Sequence, residues 1–340
     1  MPIRLVAGNI EMTTTEIQHL MNKWGRERVP FLFLIDFELK RPKLWRLSDI
    51  KPEELLFDIN GFSNATKQTV GKRVHLKKYP ITFEAYQQKF NLVKQHLHYG
   101  NSFLVNLTCK SRIELNLSLK EIFYLSKAKY KLCLEDKFVV FSPETFIQIN
   151  NEGIISSFPM KGTIDADRPN AASKILSDQK EMAEHVTIVD LIRNDLSKVA
   201  DQVEVPKFRY IDEINTHEKN ILQVSSVVQG KLRNDWFAHI GEILFTLLPA
   251  GSVSGAPKPS TLEIIAMAEK NDRGYYTGIA GIFDGEKFDS GVLIRFIEKD
   301  GSQFFYRSGG GITAQSEEIA EYKEMIDKIY VPLNREHQTI

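Results

Sequence analysis

Hydrophobic and polar positions follow two rhythms along this chain, and each rhythm marks a kind of element. Pro30 to Phe37 (PFLFLIDF) and Glu54 to Ile59 read as strands in the first part of the chain. From about Phe83 the residues Phe83, Tyr86, Phe90, Val93 and Leu97 fall at helical spacing; Gly100 stops that helix, and a strand follows through Phe103, Val105 and Leu107. A longer helix is predicted over about Asp178 to Val199, with Met182, Val186, Val189, Ile192, Leu196 and Val199 as one apolar stripe that Ile188 and Leu191 widen on one side. Glu184, at i−4 and i−7 from those two, belongs at the edge of the buried face. Runs rich in β-branched and aromatic residues predict strands at Ile221 to Val228, Gly278 to Phe283, Gly291 to Ile297 and Gln303 to Tyr306. A helix from about Glu317 to Tyr330 follows, with Ser316 as its expected N-cap.

No repeat, low-complexity tract or linker rich in Pro, Gly or Ser interrupts these elements, so residues 1–340 read as one unit. The composition, 42% hydrophobic and 26% charged, is that of a globular protein, and 44 basic against 44 acidic residues leave no global field to attract nucleic acid or an anionic membrane. Any anion must therefore be held locally. No apolar run approaches the roughly 18 residues of a membrane-spanning helix, and the first residues lack the order of a signal peptide, so a cytoplasmic location is expected. Cys109 and Cys133 are the only cysteines; they form no framework and no close metal or redox pair, and both are expected to be ordinary buried thiols.

Three segments could carry chemistry. In Pro159-Met160-Lys161-Gly162-Thr163 a glycine lets the backbone pass close to a neighbour, and a lysine held there and partly desolvated would have a lowered pKa and a usable nucleophilic amine. Leu248 to Lys258 (LPAGSVSGAPK) is a long run of small residues that suits close backbone approach to a ligand. Gly309-Gly310-Gly311, between a strand and a helix, offers exposed amides, and Glu321, Glu324 and Lys328 project from one face of that helix. If Glu184 joins Glu321 and Glu324, the oxygens suit Mg²⁺. Zinc has no paired ligand spacing, and His96 with His98 reads as a polar helix end. Taken singly, each segment also reads as a surface turn, a loop or a solvated salt-bridge face.

Taken together, these segments resemble the chorismate-utilising enzymes, which include anthranilate, aminodeoxychorismate, isochorismate and salicylate synthases. Four motifs match in the family's order: Val189 to Leu196 (VDLIRNDL); Gly251 to Lys258 continuing to Glu263-Ile264-Ile265; Arg273 to Gly278 (RGYYTG) with Phe283-Asp284-Gly285; and Gly309 to Ile312 through Glu321-Tyr322 to Asp327-Lys328. The match is strong over 81–330 and loose over 1–80. It implies an α+β fold in which two large antiparallel sheets pack as a sandwich with helices around them. It also implies Glu184, Glu321 and Glu324 as magnesium ligands, and Tyr276, Arg295, Gly310, Gly311 and Lys328, with Ser254 and Gly255 of the small-residue run, as substrate-binding residues.

Within that family the resemblance favours amination. Lys161 stands in PMKGT where aminating aminodeoxychorismate synthases carry a lysine and anthranilate synthases an alanine. The lysine would attack C2 of the chorismate ring as the C4 hydroxyl leaves, and ammonia would then add at C4 and expel it. Glu144 would be the acid and base for these steps. Leu104 stands where water-adding members have their lysine, and Leu222 where many members have the histidine associated with pyruvate elimination. The chain has no resemblance to a glutamine amidotransferase, so a separate glutaminase subunit is the expected source of ammonia. The alternatives are anthranilate synthase component I and a noncatalytic chorismate-binding subunit.

Overall fold

Phe31–Ile35 is a strand of five buried apolar residues, and that run explains the layering. Successive side chains of a strand face opposite ways, so a strand apolar at every position needs a covering layer on both faces. Phe31, Phe33 and Ile35 pack with helix Thr14–Arg26, the turn Trp236–His239 and helix Ile240–Leu247. Leu32 and Leu34, on the opposite face, meet Leu55, Phe57, Tyr130, Leu132 and Val140 of a second sheet.

The computed structural model describes residues 12–215 and 220–333, and in it two nine-stranded antiparallel sheets face each other. The first runs in the order Met160–Asp165, Asn220–Lys231, Ile154–Ser157, Thr145–Ile149, Phe288–Val292, Ile279–Phe283, Phe31–Ile35, Lys43–Arg46, with Asp201–Asn215 also paired to Asn220–Lys231. The second runs Gly255–Ala256, Leu104–Leu115, Gln303–Ile312, Phe296–Asp300, Phe138–Ser142, Tyr130–Leu134, Leu55–Ile59, Phe62–Ser63, with Leu76–Tyr79 added to Leu104–Leu115. Helices Phe83–His98 and Lys258–Glu269 cover the outer face of the second sheet through Tyr86, Phe90, Val93, Ile264 and Ile265, and helix Leu119–Leu125 covers a neighbouring part of it. This is the sandwich expected from the resemblance.

The structure corrects several expectations. The run Gly291 to Ile297 is two strands, because the chain leaves the first sheet after Val292 and enters the second at Phe296. Arg295 in that crossing has φ of 58°. The strand expected over Gln303 to Tyr306 continues to Ile312, so the three glycines are paired with Thr108, Leu107 and Asn106 and are not a loop before the helix. That helix runs Glu318–Asp327 with Glu317 at the N-cap, and the Ser316 hydroxyl instead accepts the Thr313 N–H at 3.2 Å. The long helix spans Gln179–Leu196, with the Asp178 side chain accepting from the Glu181 N–H at 3.0 Å. Its buried face is rotated from the expected stripe: Val186 is 47% exposed, while His185, Ile188, Val189 and Leu196 are buried. Trp236–Ser254 is a 19-residue stretch apolar enough to cross a membrane, although no such run was expected; here it is divided into short helices and is 56% buried against the rest of the protein.

Candidate active site

Residues of both sheets, helix Gln179–Leu196, the turn around Gly251 and helix Glu318–Asp327 enclose a cavity of about 640 Å³, within the range of sites for small ligands. Its charged residues come from segments far apart in the chain. Helix Gln179–Leu196 contributes Glu181 and Glu184, three residues apart on one face, and helix Glu318–Asp327 contributes Glu321 and Glu324 in the same way. Lys161, Arg295 and Lys328 supply the positive charge.

Lys161 is aimed by an irregularity in its own strand. Pairing of Met160–Asp165 with Asn220–Lys231 shifts register between Met160 and Thr163, and Gly162 within the shift has φ of 85°. Such a bulge turns a side chain out of the regular alternation. The ammonium reaches Glu184 Oε2 at 2.5 Å. A Cβ at Gly162 would stand 2.8 Å from Glu181 Oε2, so the glycine also makes room for the second carboxylate of the helix. Burial acts first on Lys161 and would lower its pKa, but Glu184, then Glu181 and Glu324, outweigh it and raise the pKa above the usual lysine range. This reverses the expectation of a lowered pKa. The carboxylates around Lys161 thus favour its ammonium form.

Glu144 lies where the chain passes from strand Phe138–Ser142 of the second sheet to strand Thr145–Ile149 of the first. The Ser252 hydroxyl donates to its Oε1 at 2.5 Å. Burial raises the pKa of Glu144, while Ser252 and the charges of Arg295 and Lys328 pull the other way. The net rise favours a protonated carboxyl, as a proton donor requires.

Arg295, from the crossing between sheets, touches Tyr330 by a 3.3 Å hydrogen bond and a ring contact of 5.3 Å. Among the described residues no carboxylate pairs with it, so its guanidinium suits an anionic ligand. Lys328 Nζ donates to Gly309 O at 2.9 Å and lies 2.6 Å from Glu324 Oε1. A Cβ at Gly310 would stand 3.4 Å from Lys328 Nζ, 3.5 Å from Glu324 Oε1 and 3.6 Å from Glu321 Oε2. The bare Cα thus leaves open the space these three ends share. Tyr276, Gly311 and Leu104 complete this part of the lining.

Ten of the twelve residues expected at the site therefore face one cavity: Lys161, Glu144, Tyr276, Arg295, Gly310, Gly311, Lys328, Glu184, Glu321 and Glu324. Ser254 and Gly255 do not line it. The Ser254 hydroxyl is fully buried and donates to Ala250 O at 2.8 Å, and Gly255 pairs with Val105, where a Cβ would meet Leu104 O. The run of small residues is small chiefly for packing: a Cβ at Gly251 would stand 2.9 Å from Leu191 Cδ2. Leu222 also stays outside the lining, and Gln223 takes part instead.

Among the lining residues that sequence reasoning passed over are Glu181, Ser252 and Asp195. Glu181 was findable, because it lies one helical turn before Glu184. Ser252 differs from Ser254 in nothing local. Asp195 is bound at 2.8 Å by Lys198, three residues on, and at 2.6 Å by Lys258, a pairing that only the fold creates. Cys109 and Cys133 lie outside the cavity, and burial pushes each thiol up to about 12.

The donors on the acidic side are carboxylate oxygens, which suit a hard divalent cation. Among the described residues no three acidic, histidine or cysteine side chains already converge on one point. Glu184 is paired instead with Lys161, and Glu324 with Lys328.

Residues 44–334 match the family model described as chorismate binding enzyme. An "Uncharacterized PabA-like protein" of Haemophilus influenzae is 49% identical over 325 residues, covering 95% of this chain and 99% of the relative. Anthranilate synthase component 1 1 of Haloarcula marismortui is 33% identical over 73% of this chain, and aminodeoxychorismate synthase component 1 of Bacillus subtilis is 30% identical over 74%. The alignments cover 52% and 55% of those two relatives. The solved structure of MenF, the menaquinone-specific isochorismate synthase of Escherichia coli, superposes with a TM-score of 0.73 at 15% identity, over 95% of this chain and 82% of that one. The cavity with its opposed carboxylates and cations is thus set in a chain that belongs to the chorismate-binding enzyme family.

Proposed function

We propose that this chain aminates chorismate at C4, as the synthase subunit that makes 4-amino-4-deoxychorismate for 4-aminobenzoate and folate synthesis. The observation that carries this reading is Lys161, which reaches into the cavity and meets Glu184 at 2.5 Å. Relatives named for both aminodeoxychorismate and anthranilate synthases lie at similar identity, so the choice between them rests on the site. Leu104 in the lining removes a base for adding water, and among the described residues no histidine lines the cavity to promote pyruvate loss.

Arg295 and Lys328 hold the carboxylates of chorismate, with Tyr276 and the glycines Gly310 and Gly311 shaping the floor. Glu184, Glu321 and Glu324 would hold Mg²⁺ together with a substrate carboxylate and water; the ion supplies positive charge that fixes that carboxylate. Lys161, once free as an amine, forms a bond to C2 while both double bonds of the ring diene shift by one position and the C4–O bond breaks. Glu144 gives its proton to the departing hydroxyl, which leaves as water. Ammonia then adds at C4, both double bonds shift back, the C2–N bond breaks, and Glu144 accepts the proton shed by the new nitrogen. No lining residue is a cysteine, so we assign ammonia production to a separate glutaminase.

The test is incubation of the purified chain with chorismate, Mg²⁺ and ammonium at mildly alkaline pH, with products separated and identified by mass. A nonaromatic amino product that yields 4-aminobenzoate only after a lyase is added supports this reading. Anthranilate with pyruvate, or unchanged chorismate, overturns it.

A further inference from the structure

Arg273 is 1% exposed and donates in four directions. Its Nη1 reaches Val253 O at 2.7 Å and Thr277 Oγ1 at 3.3 Å, and its Nη2 reaches Asn106 O at 2.6 Å. Nε and Nη2 also form a fork on Glu269, at 2.9 and 2.7 Å. Glu269 Oε1 in turn accepts the Thr108 N–H at 2.8 Å, and Phe37 stacks 4.4 Å from the guanidinium.

The three segments tied by this one side chain are separate in sequence, and Asn106, Val253 and Thr277 all line the cavity. Val253 adjoins Ser252, which donates to Glu144. Thr277 adjoins Tyr276, and Asn106 pairs across the sheet with Gly311. A buried ion pair is poor evidence of stability in itself, because desolvation offsets the attraction. Its geometric effect is clearer: the planar fork fixes directions that an ammonium cannot.

We propose that Arg273 and Glu269 are a positioning pair, holding the strand, the Ser252 turn and the Tyr276 segment in the register that catalysis needs. Neither residue touches the reacting atoms. The inference rests on the amination reading only for its assay.

The test compares wild type, Arg273→Lys and Glu269→Gln for kcat, KM, the pH profile of kcat/KM and Tm. Arg273→Lys keeps a charge beside Glu269, so it folds where a neutral replacement would leave that carboxylate unpaired; Glu269→Gln serves if it does not. The expected result is a fall in kcat on the order of 100-fold with a smaller rise in KM, since small misplacements of reacting groups cost that much. A loosened Ser252 turn would also release Glu144, so the limb reporting loss of its proton moves to higher pH, with Arg295 and Lys328 still facing it. A variant with lowered Tm but unmoved kcat and pH limb overturns the proposal. If wild type makes no amino product, the function reading fails on its own, and calorimetric affinity for chorismate becomes the readout. Loss of affinity in the variants then supports positioning, and unchanged affinity overturns it.

Discussion

The Lys161 ammonium and the Glu184 carboxylate are partners, 2.5 Å apart, with side chains only 31% and 16% exposed. One residue proposed as nucleophile thus occupies another proposed as metal ligand. The pair gives Glu184 a counter-charge, and a cation bound at Glu184 would compete with Lys161 for that carboxylate.

Replacing Lys161 should therefore separate the two roles. Lys161→Met is expected to bind Mg²⁺ about tenfold more tightly than wild type by calorimetry, a change of roughly 1.4 kcal/mol. It should still bind chorismate and lose most amination. Unchanged metal affinity would mean that the ion does not use Glu184, and unchanged turnover would remove the covalent step.

Glu144 should trade stability for activity. Burial raises its pKa above the ordinary 4.5. A raised folded pKa means that the folded state holds the proton more tightly, so the associated stability is present below the unfolded pKa and is lost as pH rises through the folded one. Above that range the group costs stability, whether it ionises in its buried place or keeps a proton that the unfolded chain would lose, and glutamine removes the cost. Glu144→Gln is expected to stabilise the fold by about 0.5–2 kcal/mol at pH 7, with the gain vanishing near pH 4, while activity falls by at least about 100-fold. Thermal melts across pH, set beside the rate, decide the matter; an equal Tm gain at both pH values would point away from titration.

Gly311 and Leu104 should be coupled. A Cβ at Gly311 would stand 2.9 Å from Leu104 Cδ1, and both residues line the cavity. Gly311→Ala is expected to push Leu104 into the substrate space and weaken chorismate binding by about tenfold, or roughly 1.4 kcal/mol. Adding Leu104→Ala should recover most of that loss, because contacting residues are not additive. Independent effects in the double variant would show that the two do not meet.

Much of this arrangement was legible in the chain. The 3.6-residue rhythm of Phe83 to Leu97 matches helix Phe83–His98, with Tyr86, Phe90, Val93 and Leu97 buried as expected. The run after Pro30 is a strand covered on both faces. Periodicity misjudged Val186: helix Gln179–Leu196 buries His185, Ile188 and Val189 and turns Glu181 and Glu184 to the cavity, which leaves Val186 47% exposed. The expected strand Gly291 to Ile297 failed for a related reason: an apolar run does not reveal that its halves belong to different sheets.

The sequence by itself determined the strand and helix periods, the family motifs and the residue types at the site, since these depend on local spacing and side-chain chemistry. Only the tertiary structure decided that Ser252 and not Ser254 meets Glu144, and that Arg273 joins Asn106, Val253 and Thr277. It also decided the sign of the Lys161 pKa shift, because a charge in a cavity responds to every carboxylate around it, and Glu181, Glu184 and Glu324 reach Lys161 only through the fold.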